Sequence, residues 1–278
     1  MGSGDRSGPA RLSAVQRRAG SPLQVRDTEN TDVHVTASTR CFADQSFELA
    51  ANSLWDLDFK HLEISVDDGC GQLTLTDLTD DPDAFVSRYR NATRATPDTF
   101  GLFIGPTPEQ MESLCRTAKL LQVTQITVPS SEQGTPFNEE IDRLRKLIEI
   151  ASVEGIRVSI ATDPGRMTQD PHTAVELCQQ VRGLGITYDP SHYIVSGQPM
   201  NVEQMASYIY HVRLRDTSTE AMQVSLGLGE NDFAKIIGAL EDTGYTQGLT
   251  IDLLPGHFDA DARLLELRKM RRLLESQL

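Results

Sequence analysis

The sequence predicts an α/β protein built as a single (β/α)8 barrel. Short β-branched runs alternate with amphipathic runs from residue 33 to the end, the pattern of parallel strands joined by helices. Eight such strands occur without a large insertion, which favours closure over an open doubly wound sheet. The loop after the first strand is Thr39-Arg40-Cys41-Phe42, without the glycine fingerprint that a doubly wound nucleotide fold carries there. The chain has 278 residues, close to the length of one such barrel, which takes about 250.

The first strand is read at 33–38 and the first helix, from its spacing, at 47–57. A strand at 61–66 is followed by a helix over 81–95, capped by Asp80 or Asp81,. The third strand is expected at 100–105, and the helix over 108–122 has Pro108 in its first turn,. Residues 125–129 read as the fourth strand. The long amphipathic helix 137–155 puts Ile141, Leu144, Leu147, Ile148 and Ala151 on one face,. Strands at 156–162 and 185–189 flank a helix over 170–183. A helix at 202–209 leads to the seventh strand, 211–216. The helix over 231–244 ends at Gly244, a residue suited to a C-cap,. The eighth strand is 248–254, and a last helix runs from about Asp259 with Leu267, Met270 and Leu274 on one face,.

Composition narrows the function. Net charge is −14 and the pI is near 4.8, which argues against a nucleic-acid surface, since that needs clustered Lys and Arg. No apolar run is long enough to span a membrane. Residues 1–31 hold no apolar signal segment and read as a disordered N-terminal tail, with the barrel over 32–278,. Cys41, Cys70, Cys115 and Cys178 are widely spaced with no CxxC pair, so they are expected to be reduced and mostly buried in a cytoplasmic chain. The sequon at Asn91 is then coincidental. Asp77, Asp80, Asp81 and Asp83 match no spaced calcium loop and read as helix capping,. The basic last helix reads as cover for the barrel wall or as a homo-oligomer contact.

In this fold the residues that end each strand face the pocket. Those ends offer Glu63, Ala161 or Asp163, Asp189 with His192, His211 or Arg213, and Asp252. The bland readings are specific: Asp189 caps the turn at Pro190, Asp163 is a turn residue, His211 is a core histidine, and Arg166 is solvated. Gly227 and Gly229 precede Asp232 at a helix start, which cradles an anion or simply caps the helix.

The stretches GITYDPSH, HVRLRD, LGLGENDFAKIIGALEDTGY and GLTID resemble the sugar phosphate isomerase/epimerase family, the xylose-isomerase-like TIM barrels. The resemblance runs from about Val33 to the C-terminus and implies a divalent metal held by Glu, Asp, His and Glu from strands five to eight. It also implies that the two Glu residues move protons between adjacent sugar carbons. By position the Asp is Asp189, accompanied by His192. The fifth-strand Glu falls at Ala161, the seventh-strand His at Arg213, and the eighth-strand Glu at Asp252. Alanine has no ligand atom and a guanidinium repels a cation. Asp189 and Asp252 are the metal ligands that remain, too few to hold an ion firmly.

The expectation is therefore a TIM-barrel protein acting on a sugar or polyhydroxy acid by proton transfer at the barrel's C-terminal mouth. It is an isomerase, epimerase or related lyase if active. The alternative is a catalytically inactive barrel that binds a sugar-like ligand or a partner. Asp189, His192, Asp252 and Asp163 are the catalytic candidates; Glu63, His211, Arg213, Arg166 and Gly229 are the substrate-binding ones. No resident cofactor is expected, with Mn, Mg, Co or Zn as the alternative. Arg213 is expected to stand in the metal's place, held by Asp189 and Asp252, or to close a salt-bridge network in a site that has lost catalysis. A trinuclear-zinc endonuclease is disfavoured by the acidic charge and by only six histidines.

Overall fold

A computed structural model describes residues 1–2, 33–67, 72–198 and 202–278. The tail expected at 1–31 lies outside the described residues, apart from its first two, and so does Cys70. Eight strands pair in sequence order and close into a barrel. They are β1 (His34–Ser38), β2 (His61–Val66), β3 (Thr96–Leu102), β4 (Gln125–Pro129), β5 (Arg157–Ala161), β6 (Leu184–Tyr188), β7 (Ile209–Leu214) and β8 (Gly248–Ile251). Every neighbouring pair is parallel, and β8 returns to β1.

The helices are α1 (Phe47–Asp56), α2 (Leu75–Thr79), α3 (Pro82–Ala92), α4 (Pro108–Leu121) and α5 (Phe137–Val153), followed by α6 (Pro171–Gln180), α7 (Pro190–Val195), α8 (Val202–Met205), α9 (Phe233–Glu241) and α10 (Ala260–Glu275). Four of them start with a capping side chain followed by proline: Asp81-Pro82, Thr107-Pro108, Asp170-Pro171 and Asp189-Pro190. The side chain satisfies an orphan N–H, and the proline spends a position whose N–H has no partner anyway. Asp77 and Asp81 cap as expected.

Two boundaries differ most from the sequence reading. β3 begins at Thr96 rather than at 100, because Thr96 and Pro97 pair with His61 and Leu62 despite the proline. The helix expected over 202–209 ends at Met205, and Ile209 and Tyr210 join β7. Pairing to β6 outweighs local propensity there. The short helices α2 and α7 carry too few residues to show a period.

Each strand alternates polar and apolar residues, and the two faces separate cleanly. Leu62, Ile64, Ile126, Val158, Ile160, Val212, Leu249 and Ile251 are buried under the helices. The other face is polar. Thr127 bonds Thr187 at 2.7 Å, and Thr99 reaches His211 at 3.5 Å. These side chains sit on non-adjacent strands, so the bonds cross the barrel's interior. Barrels of this class usually fill that space with branched apolar layers. Here Gln125, Thr127, Ser159 and Thr187 form one hydrogen-bonded layer, which pairs most of its buried polar atoms and leaves Gln125 Oε1 without a partner,.

Gly101 on β3 lies on this inner face. A methyl there would sit 2.8 Å from Glu63 Cδ and nearer still to Arg213 Nη2. Gly101→Ala is expected to cost about 1–3 kcal/mol in urea unfolding, as overpacking does. Gly238→Ala in α9, where the added methyl meets nothing within 4 Å, is expected to raise stability by about 0.4–1 kcal/mol.

Candidate functional site

The strand ends that the sequence singles out converge at the C-terminal mouth in two layers. In the deeper one, Glu63 of β2 is fully buried. Its Oε2 lies 2.7 Å from His211 Nε2, and Arg213 Nε donates to Oε1 and Oε2 at 3.1 and 3.0 Å. Burial would raise this carboxyl's pKa. The Arg213 charge and the His211 hydrogen bond outweigh burial and hold it at about 2,. Arg213 is itself held well above the usual guanidinium range: burial works against its charge, and Glu63 and Asp252 overcome it. The Arg213 guanidinium lies 4.7 Å from the Phe103 ring centroid, and that of Arg40 lies 4.4 Å from the same ring,.

The upper layer is built on Arg215, which is 1% exposed. Its Nη2 lies 2.8 Å from Asp189 Oδ2 and 2.8 Å from Asp252 Oδ2, and its Nε donates to the Asp252 carbonyl at 2.7 Å. Arg40, from the loop after β1, reaches Asp252 at 3.3 Å. Burial opposes the Asp189 charge, but Arg215 and His192 outweigh it and keep this carboxyl well below the usual range. Asp189 also caps α7 by accepting from the Ser191 N–H at 3.0 Å, so the capping and pocket readings both hold.

The cation between Asp189 and Asp252 is thus Arg215, not Arg213 as the sequence suggested. Register decides this. Arg213 stands opposite Thr250 in the β7–β8 pair, and two residues on, Arg215 is level with Asp252. Three carboxylates (Glu63, Asp189, Asp252) meet three guanidiniums (Arg40, Arg213, Arg215). The set is neutral with both histidines uncharged. Arg215 and Arg40 were missed by the sequence reading, although HVRLRD puts both of its arginines on one strand face.

His192 lies above this set. Its Nε2 is 3.3 Å from Asp189 Oδ2 and its Nδ1 is 3.9 Å from Asp163 Oδ1. The Asp163 charge also helps to hold the Arg213 guanidinium charged. Ala161 is buried and carries no ligand atom. Arg166 lies on the rim, donating to the Ser130 carbonyl at 2.6 Å, beside a cavity of about 330 Å³ lined also by Gln133, Gln169, Thr173 and Gln198. The glycine loop does cradle an anion, and it is the chain's own: Gly227 and Gly229 N–H groups donate to Asp216 Oδ2 at 2.7 and 3.1 Å. Asp232 caps α9.

These residues do not fit a divalent ion at the mouth. A guanidinium already neutralises the two aspartates that would bind it, and the fifth-strand position is alanine. Five buried polar atoms at the mouth have no hydrogen-bond partner among the described residues: Arg40 Nε, Arg213 Nη2, Arg215 Nη1, Asp252 Oδ1 and His192 Nδ1. Each is a place where a hydrogen-bonding group, a water included, can be received.

Arg215→Met strips the counter-ion from two buried carboxylates and is expected to cost about 3–5 kcal/mol in chemical unfolding near pH 7. Adding Asp189→Asn and Asp252→Asn should recover most of that loss. An equal loss in the triple variant would assign the effect to packing instead.

The sequence model of a family described as xylose isomerase-like TIM barrel matches residues 107–272. Among solved structures, the fold is similar to a xylose isomerase domain protein from Planctomyces limnophilus, at 18% identity and TM-score 0.67 over 88% of this chain and 96% of that one. It is similar to the 3-keto-D-glucoside 4-epimerase of E. coli, at 15% identity and TM-score 0.67 over 87% and 100%. It is also similar to a probable 3-DHS dehydratase from Bacillus anthracis, at 17% identity and TM-score 0.65 over 87% and 99%. No curated protein matches the sequence.

Proposed function

The chain belongs to the xylose isomerase-like TIM barrel family, and on that footing we propose that it binds a small polyhydroxylated, sugar-class ligand at the barrel mouth without a metal. The observation that carries this reading is the Arg215 guanidinium between Asp189 and Asp252. It supplies the fixed positive charge that an ion would supply, and it already occupies one oxygen of each aspartate.

The ligand class follows from the unpartnered atoms. Three guanidinium donors, one carboxylate acceptor and one imidazole nitrogen lie unpaired at the mouth. A hydroxyl both donates and accepts, so the hydroxyls of one small molecule match this mix of donors and acceptors. The rim cavity beside Arg166, with its amide side chains, suits the same chemistry. The epimerases among the similar structures act on molecules of that class by their names. Buried unpaired thiols at Cys41, Cys115 and Cys178 support a reducing compartment, the cytoplasm.

Two-base proton transfer is not part of this reading. A carboxylate held at about 2, as Glu63 is, is a weak base. Asp189 is held low in the same way, and Ala161 removes the partner base. A second reading rests on His192, whose Nδ1 has no hydrogen bond while its Nε2 is oriented by Asp189. One imidazole so placed can run a one-base elimination or isomerisation, and fixed guanidiniums can steady a developing enediolate.

Calorimetry with a ketose, aldose and polyhydroxy-acid panel, combined with solvent-deuterium incorporation by NMR, tests both. The expected result is ligand binding that survives EDTA, with no exchange induced by Mn, Mg or Co. Metal-activated exchange would overturn the metal-free reading. Metal-independent exchange that disappears in His192→Ala would establish the one-base reading.

A further inference from the structure

A second cluster stands at the opposite end of the barrel. His34 opens β1, His61 opens β2, and Asp98 lies near the start of β3. Asp98 Oδ2 is 2.6 Å from His34 Nε2, and Asp98 Oδ1 is 2.8 Å from His61 Nδ1. The two imidazole rings lie 4.0 Å apart at 42°. One nitrogen from each histidine and one carboxylate oxygen all fall within 4.8 Å of one another. Among the described residues this is the only group of three or more His, Cys, Asp or Glu side chains close enough to share an ion.

We propose that His34, His61 and Asp98 form a binding site for a divalent transition metal of the zinc class, clamping the first three strands at the N-terminal face. Two imidazoles and one carboxylate are the ligand types such an ion takes. Without the ion, the N–H groups at His34 Nε2 and His61 Nδ1 donate to the Asp98 carboxylate,. The ion replaces both hydrogen bonds, and each neutral ring moves its proton to its other nitrogen and gives the freed lone pair to the ion. Thr36 Oγ1 donates to Asp98 Oδ2 at 3.2 Å, the kind of outer contact that orients a ligating carboxylate. A side chain at Gly248 would run into Thr36 Oγ1 and come within 3.4 Å of Asp98 Oδ2, so glycine there keeps the carboxylate's approach clear.

The cluster opens on a cavity of about 480 Å³ at the foot of the barrel, lined also by Gln122, Arg157, Tyr210 and Gln247. The side chains of His34, His61 and Asp98 are 27%, 34% and 19% exposed. The proposed ion takes its fourth ligand, a water, from that cavity, as three-ligand zinc sites do,. The site is independent of the mouth, so it stands whichever reading of the mouth holds.

The test uses the full chain without a histidine tag, stripped with EDTA. Zn²⁺ is titrated by calorimetry and Co²⁺ by its visible absorption. One equivalent is expected to bind. His61→Ala and Asp98→Asn should each weaken binding by more than about 100-fold, beyond the 10–100-fold that loss of an outer contact costs. His192→Ala, at the mouth, should bind as the wild type does. In the unaltered protein, Zn²⁺ should protect both His34 and His61 from diethyl pyrocarbonate, mapped by mass spectrometry. No stoichiometric binding, unprotected histidines, or binding lost in His192→Ala would overturn the proposal.

Discussion

The barrel is organised around a buried, charge-balanced set of ion pairs inside its C-terminal half. Glu63, Asp189 and Asp252 are each closed off from solvent and each held by arginine. Taking such charges out of water costs several kcal/mol per ion after relaxation, and attraction offsets that only with good geometry and further hydrogen bonds. Arg215 meets the condition with two carboxylates and a carbonyl, and Arg213 with a two-oxygen contact to Glu63. The set therefore fixes the mouth more than it stabilises the fold. Arg40 from the β1 loop, Asp189 from β6, Arg215 from just after β7 and Asp252 from β8 keep their places only together.

The rest of the interior follows from that constraint. A charged centre tolerates no apolar layer beside it with unpaired atoms, and the strands accordingly present Ser, Thr, Gln and His inward while Leu, Ile and Val face the helices. Gly101 leaves the room that the Arg213–Glu63 contact occupies. The Asp216 carboxylate fills the glycine loop in the same self-contained manner. The carboxylates at the mouth are met by the chain's own arginines, while His192 Nδ1 and guanidinium nitrogens of Arg40, Arg213 and Arg215 have no hydrogen-bond partner.

Much of the fold was legible because strand and helix periods differ and because capping residues stand before proline at several helix starts. Asp189, His192 and Asp252 were legible as strand-end polar residues. Which of two arginines meets them was not, since that depends on how β7 registers against β8, and sequence spacing carries only the shared face. The Glu63–Arg213 pair spans the barrel from β2 to β7, a distance in sequence that no local pattern encodes. Asp98 was hidden for another reason: Pro97 breaks the strand pattern, so the residues before 100 read as loop. The histidines that open β1 and β2 sit at the strand ends away from the pocket, where nothing in the pattern asks for a ligand.

The carboxyl groups report on this arrangement most directly. Carbon-13 NMR of the Glu63 and Asp189 side chains, followed from neutral pH down to the edge of acid unfolding, measures whether guanidiniums hold them ionised. Their folded pKa values are depressed, so both carboxyl signals should stay at their ionised positions throughout the native range. The stability they contribute should be complete above about pH 5 and fade as pH falls through the ordinary carboxylate range, for Glu63 toward about 2,. Titration of either group at its ordinary value, near 4, in the native protein would contradict a mouth built on arginine–carboxylate pairs.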